Sequence, residues 1–221
     1  MIRAVVFDVG ETLLDERGLW HRWADWLGVP RGRFMDTLKD VVRRGAHHRQ
    51  VFEVFCPGFD FDAAASARLA AGDDPGFRIK DFHADALPCL ERLRSAGYRV
   101  GIAGNTSAET ERFLIAAKAP ADFIASAATW RTEKPSPAFF ARVVEAAGFA
   151  PAEIAYVGDR IDNDVLPALR AGLTGVFLRR GIWAEVHSAS PDASRANVVI
   201  DTLTEVPEAF AGRNRAVTRQ A

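Results

Sequence analysis

Acidic residues stand at the ends of two short apolar runs. Arg3 to Phe7 leads into Asp8-Val9-Gly10-Glu11-Thr12, and Ile154 to Val157 leads into Gly158-Asp159-Arg160-Ile161-Asp162-Asn163-Asp164. A third run, Arg99 to Ala103, ends in Gly104-Asn105-Thr106-Ser107, and Lys134-Pro135 lies in the loop after a weaker run, Phe123 to Ala127. These residue types suit one chemistry: carboxylates at neighbouring strand ends bind a hard cation, while a lysine and backbone amides hold an anion.

Such a set works only if its members meet in space, and the rest of the chain supplies the frame. The four runs above and Gly175 to Leu178 read as strands, with Val198 to Ile200 as a final edge strand. Amphipathic stretches at Ala84 to Ala96, Ala108 to Lys118, Pro137 to Ala147 and Asp164 to Ala171 read as helices between them. Strand alternating with helix predicts an α/β fold with a doubly wound parallel sheet, because parallel neighbours need a crossover. Ligands in such sheets bind beyond the carboxyl ends of the strands, where the acids, the lysine and the hydroxyls stand.

The alternation stops between Leu14 and about Phe82. Leu19, Trp20, Trp23, Trp26 and Leu27 fall near one helical face there, followed by Phe34, Leu38, Val41 and Val42, and by Ala63 to Ala71. The expected organisation is an α/β core of residues 1–14 and 83–221 with a helical domain of residues 15–82 inserted in it.

Twenty-eight Lys and Arg against 29 Asp and Glu leave no basic excess for a nucleic acid or an anionic membrane. The N-terminus is too short in apolar residues for a signal peptide and no run approaches a membrane span, so a cytoplasmic protein is expected. Cys56 and Cys89 lack metal-ligand spacing and read as buried thiols, and the polar tail from Gly212 to Ala221 is expected to fray.

The chemistry-bearing segments together resemble the motifs of the haloacid dehalogenase superfamily. Asp8 to Thr12 is similar to the first motif, Asp-x-Asp-x-Thr, Lys134-Pro135 to the third, and Gly158-Asp159 through Asn163-Asp164 to the acidic fourth, in family order over nearly the whole chain. The helical insertion is placed like the cap of the branch that holds haloacid dehalogenases and phosphoglycolate phosphatases, whose movement would admit substrate and exclude water. The resemblance implies a magnesium-dependent phosphatase of a small phosphorylated metabolite, acting through an aspartyl-phosphate on Asp8; the oligomeric state stays open between monomer and homodimer. It implies Asp8 and Lys134 as catalytic residues, with Thr12, Gly104, Asn105, Thr106 and Lys134 around the phosphate. It also implies a magnesium site of Asp8, the Gly10 carbonyl and Asp159, with Asp164 orienting Lys134 or a metal-bound water.

Two positions depart from the pattern. Gly10 stands where the family's phosphatases carry a second aspartate, the general acid/base, whose help is worth ~3–5 kcal/mol of barrier. Glu11 or Asp15 can replace it only if the turn brings a carboxylate back over the site. Gly104 stands where a phosphate-binding Ser or Thr is usual, which weakens phosphate binding unless the Thr106 or Ser107 hydroxyl recovers the contact. Two other readings follow: a weakly catalytic or non-catalytic member that binds a ligand or a protein, and a 2-haloacid dehalogenase. Dehalogenases lack the second aspartate but have a metal-free Ser/Asn fourth motif and a tyrosine six residues after the lysine, where this chain has Asp159 and Phe140. The remaining candidates have blander readings: Trp20, Trp23 and Trp26 as an apolar face, His47-His48 and Lys39 as surface residues, and Arg43-Arg44 and Arg179-Arg180 as solvated pairs.

Overall fold

The computed structural model describes residues 1–211, so the tail beginning at Gly212 lies outside the described residues. Six strands form one all-parallel sheet: β1 (Ala4–Phe7), β2 (Arg99–Gly104), β3 (Phe123–Ser126), β4 (Ile154–Gly158), β5 (Thr174–Leu178) and β6 (Val198–Ile200). Their spatial order is β3-β2-β1-β4-β5-β6. From β1 the chain steps outward to β2 and β3, then returns to place β4 on the other side of β1. That reversal makes a topological switch point between β1 and β4, where open sheets of this kind leave a crevice. The weak run at Phe123 and the short one at Val198 are the two edges, which are only partly covered.

The inner strands are short, apolar and buried because helices cover both faces. Ala4 and Val6, two residues apart and so on one face, join Ala103, Ile154 and Tyr156 against Phe139, Phe140, Val143 and Ala147.

Among the described residues, 1–14 and 82–211 make one compact unit, and Asp15–Asp81 makes a second. Phe82 falls with the larger unit because it bridges Leu14, next to the His83 N–H bond to the Leu13 carbonyl (2.9 Å). The smaller unit contains α1 (Arg17–Trp26), α2 (Arg31–Arg43), α3 (Gln50–Phe55) and α4 (Phe61–Ala70). Trp20, Trp23, Phe34 and Phe52 are its buried aromatic core, with Trp23 4.8 Å from the Phe61 ring, while Trp26 is 44% exposed. Arg68 is buried over the Trp23 ring (4.4 Å) and pairs with Asp73. Cys56 departs from expectation: α3 ends at Phe55, and Cys56 leaves the helix exposed, whereas Cys89 is buried and its thiol is pushed up to about 12 by desolvation.

The larger unit contains α5 (Ala86–Ser95), α6 (Ala108–Ala116), α7 (Ala127–Trp130), α8 (Pro137–Ala147), α9 (Leu166–Arg170) and α10 (Gly181–His187). The helix expected from Asp164 is preceded by a π turn, Ile161–Val165, in which the Arg160 carbonyl accepts from both Asp164 N–H (3.0 Å) and Val165 N–H (3.2 Å). Pro167, whose missing N–H is harmless in a first turn, then opens α9. No helix among the described residues is long and apolar enough to cross a membrane.

Candidate active site

Asp8 and Asp159 each follow a strand that borders the switch point, so the sheet brings them together. Phe7 pairs with Val157 across the two strands, and Asp8 N–H donates to the Val157 carbonyl at 2.9 Å. The π turn after β4 folds Asp164 back, where its Oδ2 accepts from Arg160 N–H at 2.9 Å. One carboxylate oxygen from each of Asp8, Asp159 and Asp164 lies within 4.8 Å of the others.

Lys134 enters the same cluster. Its Nζ lies 2.7 Å from Asp8 Oδ1 and 2.6 Å from Asp164 Oδ1, and all four residues are buried. Asn105 clasps the lysine backbone: Oδ1 accepts from Lys134 N–H (2.7 Å) and Nδ2 donates to the Lys134 carbonyl (2.9 Å). Its amide therefore sets the lysine loop. Tyr156, which the strand pattern does not single out, lies with its ring 5.5 Å from Nζ and its hydroxyl donating to the Ala103 carbonyl at 2.7 Å. A polar-tipped aromatic in an otherwise aliphatic run was the available signal. Phe140 packs edge-on against Tyr156 (5.2 Å) as part of the core.

The electrostatics follow from burial and charge count. Desolvation opposes the Lys134 ammonium, but attraction to Asp164 and Asp8 outweighs it and raises the lysine well above its ordinary value. Desolvation, with repulsion from Asp164, Asp8 and Glu11, pushes Asp159 well above the usual carboxylate range. Asp164 is raised to about 6, chiefly by desolvation against the opposing pull of Lys134. Three carboxylates against one ammonium leave two formal negative charges in a buried space. Asp159 Oδ2 is also buried there without a hydrogen-bond partner. A buried polar oxygen left without a partner costs ~1–3 kcal/mol, and three clustered carboxylate oxygens suit a hard divalent cation.

Two further hydroxyls, Thr12 Oγ1 and Thr106 Oγ1, are buried without a hydrogen-bond partner. Ser107 is otherwise engaged, its Oγ accepting from Thr110 N–H (3.2 Å) to cap α6. Of the two stand-ins for Gly10, the Glu11 carboxylate is directed to Gly181, where Oε2 would lie 2.2 Å from an added Cβ. Asp15 is held by Arg17, through the backbone N–H (2.9 Å) and the guanidinium.

Gly104 contributes space. A Cβ on it would sit 2.4 Å from Asp8 Oδ1 and 3.2 Å from Val9 Cγ2, so a side chain there displaces the Asp8 carboxylate. Gly104→Ser, the family-like residue, is therefore expected to lower stability by ~1–3 kcal/mol through overpacking. Urea midpoints of the two proteins check this, and an unchanged midpoint would show that Asp8 has room to shift.

A family model for haloacid dehalogenase-like hydrolases matches residues 2–172. The chain belongs to this family of hydrolases. A glyceraldehyde 3-phosphate phosphatase of Methanopyrus kandleri is 28% identical over 210 residues, spanning 87% of this chain and 90% of the relative. Among solved structures, a magnesium-bound HAD hydrolase of Bacillus subtilis is similar at TM-score 0.69 and 17% identity, covering 93% of this chain and 96% of the other. A 2-haloacid dehalogenase of Pseudomonas syringae is similar at TM-score 0.59 and 21% identity, covering 96% and 99%. At these identities the HAD fold is shared across different chemistries, so the choice of chemistry rests on the side chains at the switch point.

Proposed function

We propose that this HAD hydrolase is a magnesium-dependent phosphatase of a small phosphorylated metabolite, with Asp8 as nucleophile. The observation that carries this reading is the partnerless buried oxygen of Asp159 beside Asp8 and Lys134, an acidic pocket whose excess charge one divalent cation cancels. The phosphatase from Methanopyrus kandleri supports the substrate class. Asp8, Asp159 and the Gly10 carbonyl would hold the magnesium ion, with Asp164 holding Lys134. Bound there, magnesium would supply charge neutralisation between nucleophile and phosphoryl group.

The chain's own residues then divide the work. An Asp8 oxygen attacks phosphorus as the bond to the leaving oxygen breaks, giving an aspartyl-phosphate that water cleaves to inorganic phosphate and the free carboxylate. Lys134 pairs with Asp8 at 2.7 Å and balances charge on the phosphoryl oxygens, while Asp164 and Asn105 hold the lysine in place. Thr12, Gly104 and Thr106 border the phosphate, Thr12 and Thr106 through their unpartnered hydroxyls. Residues 15–81 take the role of the family's cap. Gly10 supplies no proton to the leaving group, which makes turnover slow on poor leaving groups.

A magnesium-supplemented screen of phosphate esters, glyceraldehyde 3-phosphate among them, tests the reading against halide release from a 2-haloacid without metal. Absence of magnesium-dependent phosphate release from every ester would favour a binding protein. Stability gives a second test. Millimolar magnesium is expected to raise the Tm of wild type and not of Asp159→Ala, since a ligand of the folded state stabilises by mass action. Equal shifts in both proteins would place the metal elsewhere. The shift should also grow with pH. Asp164 sits at about 6 against an ordinary 3.8, and Asp159 is raised too, so the folded protein holds protons that the unfolded chain has released. Metal-free stability from Asp164 is therefore full below 3.8 and lost as pH rises through about 6, and the raised Asp159 acts in the same direction. Magnesium competes with the same protons and is most stabilising once they are gone.

A further inference from the structure

The paired arginines after β5 separate in the structure. Arg179 is half-exposed and pairs with Asp201 at the surface. Arg180 is largely buried: Nη1 donates to the Thr12 carbonyl (3.2 Å) and to Asp85 Oδ1 (3.0 Å), and Nη2 donates to Asp85 Oδ2. Asp85 Oδ2 also accepts from Leu203 N–H at 2.9 Å, so the acid is fixed from a second direction.

The turn that Arg180 touches is the one after Asp8. The Val9 carbonyl accepts from both Leu13 and Leu14 N–H (2.9 Å each), and Glu11 N–H donates to the Leu14 carbonyl (2.7 Å). This tight loop holds Glu11 at φ +52°, a left-handed angle that a side chain adopts at a cost and that its surroundings must enforce. Two such surroundings come from adjacent residues: Arg180 on the Thr12 carbonyl, and Gly181, which has no Cβ where the Glu11 carboxylate lies.

We infer that Arg180, anchored by Asp85, is a positioning residue that clamps the Gly10-Glu11-Thr12 turn and so fixes the backbone beside the nucleophile. The inference rests on the reading of Asp8 as nucleophile for its catalytic consequence, but the clamp itself is a property of the fold. A guanidinium serves the carbonyl and the carboxylate at once because its donors form a rigid fork. A lysine keeps the charge beside Asp85 without that geometry.

Arg180→Lys and Arg180→Ala are to be compared with wild type and with Arg179→Ala as a surface control. Amide exchange at Glu11, Leu13 and Leu14, followed by NMR at a pH where each protein is folded, is expected to be ~10-fold or more faster in both Arg180 variants. Exchange in the β-sheet should stay unchanged, as local opening is distinct from global unfolding. On the best ester from the screen, kcat should fall ~10-fold with KM nearly constant, the signature of a displaced reacting group rather than lost binding. Arg179→Ala should match wild type in both. If Arg180→Ala does not fold, the lysine variant carries the test. Wild-type exchange at the turn in a folded Arg180 variant overturns the clamp, whatever the kinetics. A wild type without turnover overturns the proposed function and leaves the exchange result to decide the clamp.

Discussion

Asp8→Asn is expected to abolish hydrolysis, by more than ~10⁴-fold in kcat, in a protein that still folds. The size of the loss follows from the role: a carboxamide cannot form the acyl-phosphate, and removing the nucleophile of a covalent mechanism leaves only what binding and electrostatics supply. Survival of the fold follows from the geometry. Lys134 loses one partner at 2.7 Å but keeps Asp164 at 2.6 Å, so no unpaired ammonium is left in the interior. Repulsion from Asp8 is one of the forces that raise Asp159, and that repulsion is relieved. Phosphate release by the purified variant, alongside a thermal melt, checks both parts. Turnover at the wild-type rate would assign the activity to another site or to a contaminant.

The same cluster shows what was legible in the sequence and what was not. Strand runs ending in acids placed Asp8 and Asp159 at strand ends, and the alternation of strand and helix gave a parallel sheet. The order of motifs named the family. The partners were not legible, because hydrogen bonds between distant loops leave no local pattern. Nothing in the run Gly104-Asn105-Thr106 announces that the Asn105 amide clasps Lys134, 29 residues on. Nothing in Arg179-Arg180 distinguishes a solvated cation from a clamp on Thr12, 168 residues away. Short elements escaped for a different reason. Helices α7 and α10, of four and seven residues, complete too few turns to show a 3.6-residue period. In the sequence Gly104 is a missing phosphate contact, and only the folded structure shows the Asp8 carboxylate in the space a side chain there would need.

Gly10→Asp is expected to raise kcat by ~10-fold or more, within the 10²–10⁴-fold that a positioned general acid/base can contribute. Asp8, Lys134 and Asp164 are assembled, and Asp159 Oδ2 awaits a partner, so the group absent from the family pattern is a proton donor for the leaving oxygen. Of the two neighbouring acids, Glu11 lies against Gly181 and Asp15 is held by Arg17. The backbone permits the change. Gly10 is not among the glycines with left-handed φ, so an aspartate there meets no conformational penalty of that kind, and its carbonyl remains for the metal. The gain should appear in kcat more than in KM, since proton transfer stabilises the transition state and not the bound substrate. It should be large for alkyl phosphates, whose leaving alkoxide needs a proton, and small for an activated aryl phosphate, which departs without one. A folded, magnesium-binding Gly10→Asp protein with no gain on any ester would mean that the pocket was never one proton short of a phosphatase, and would turn the assignment toward binding.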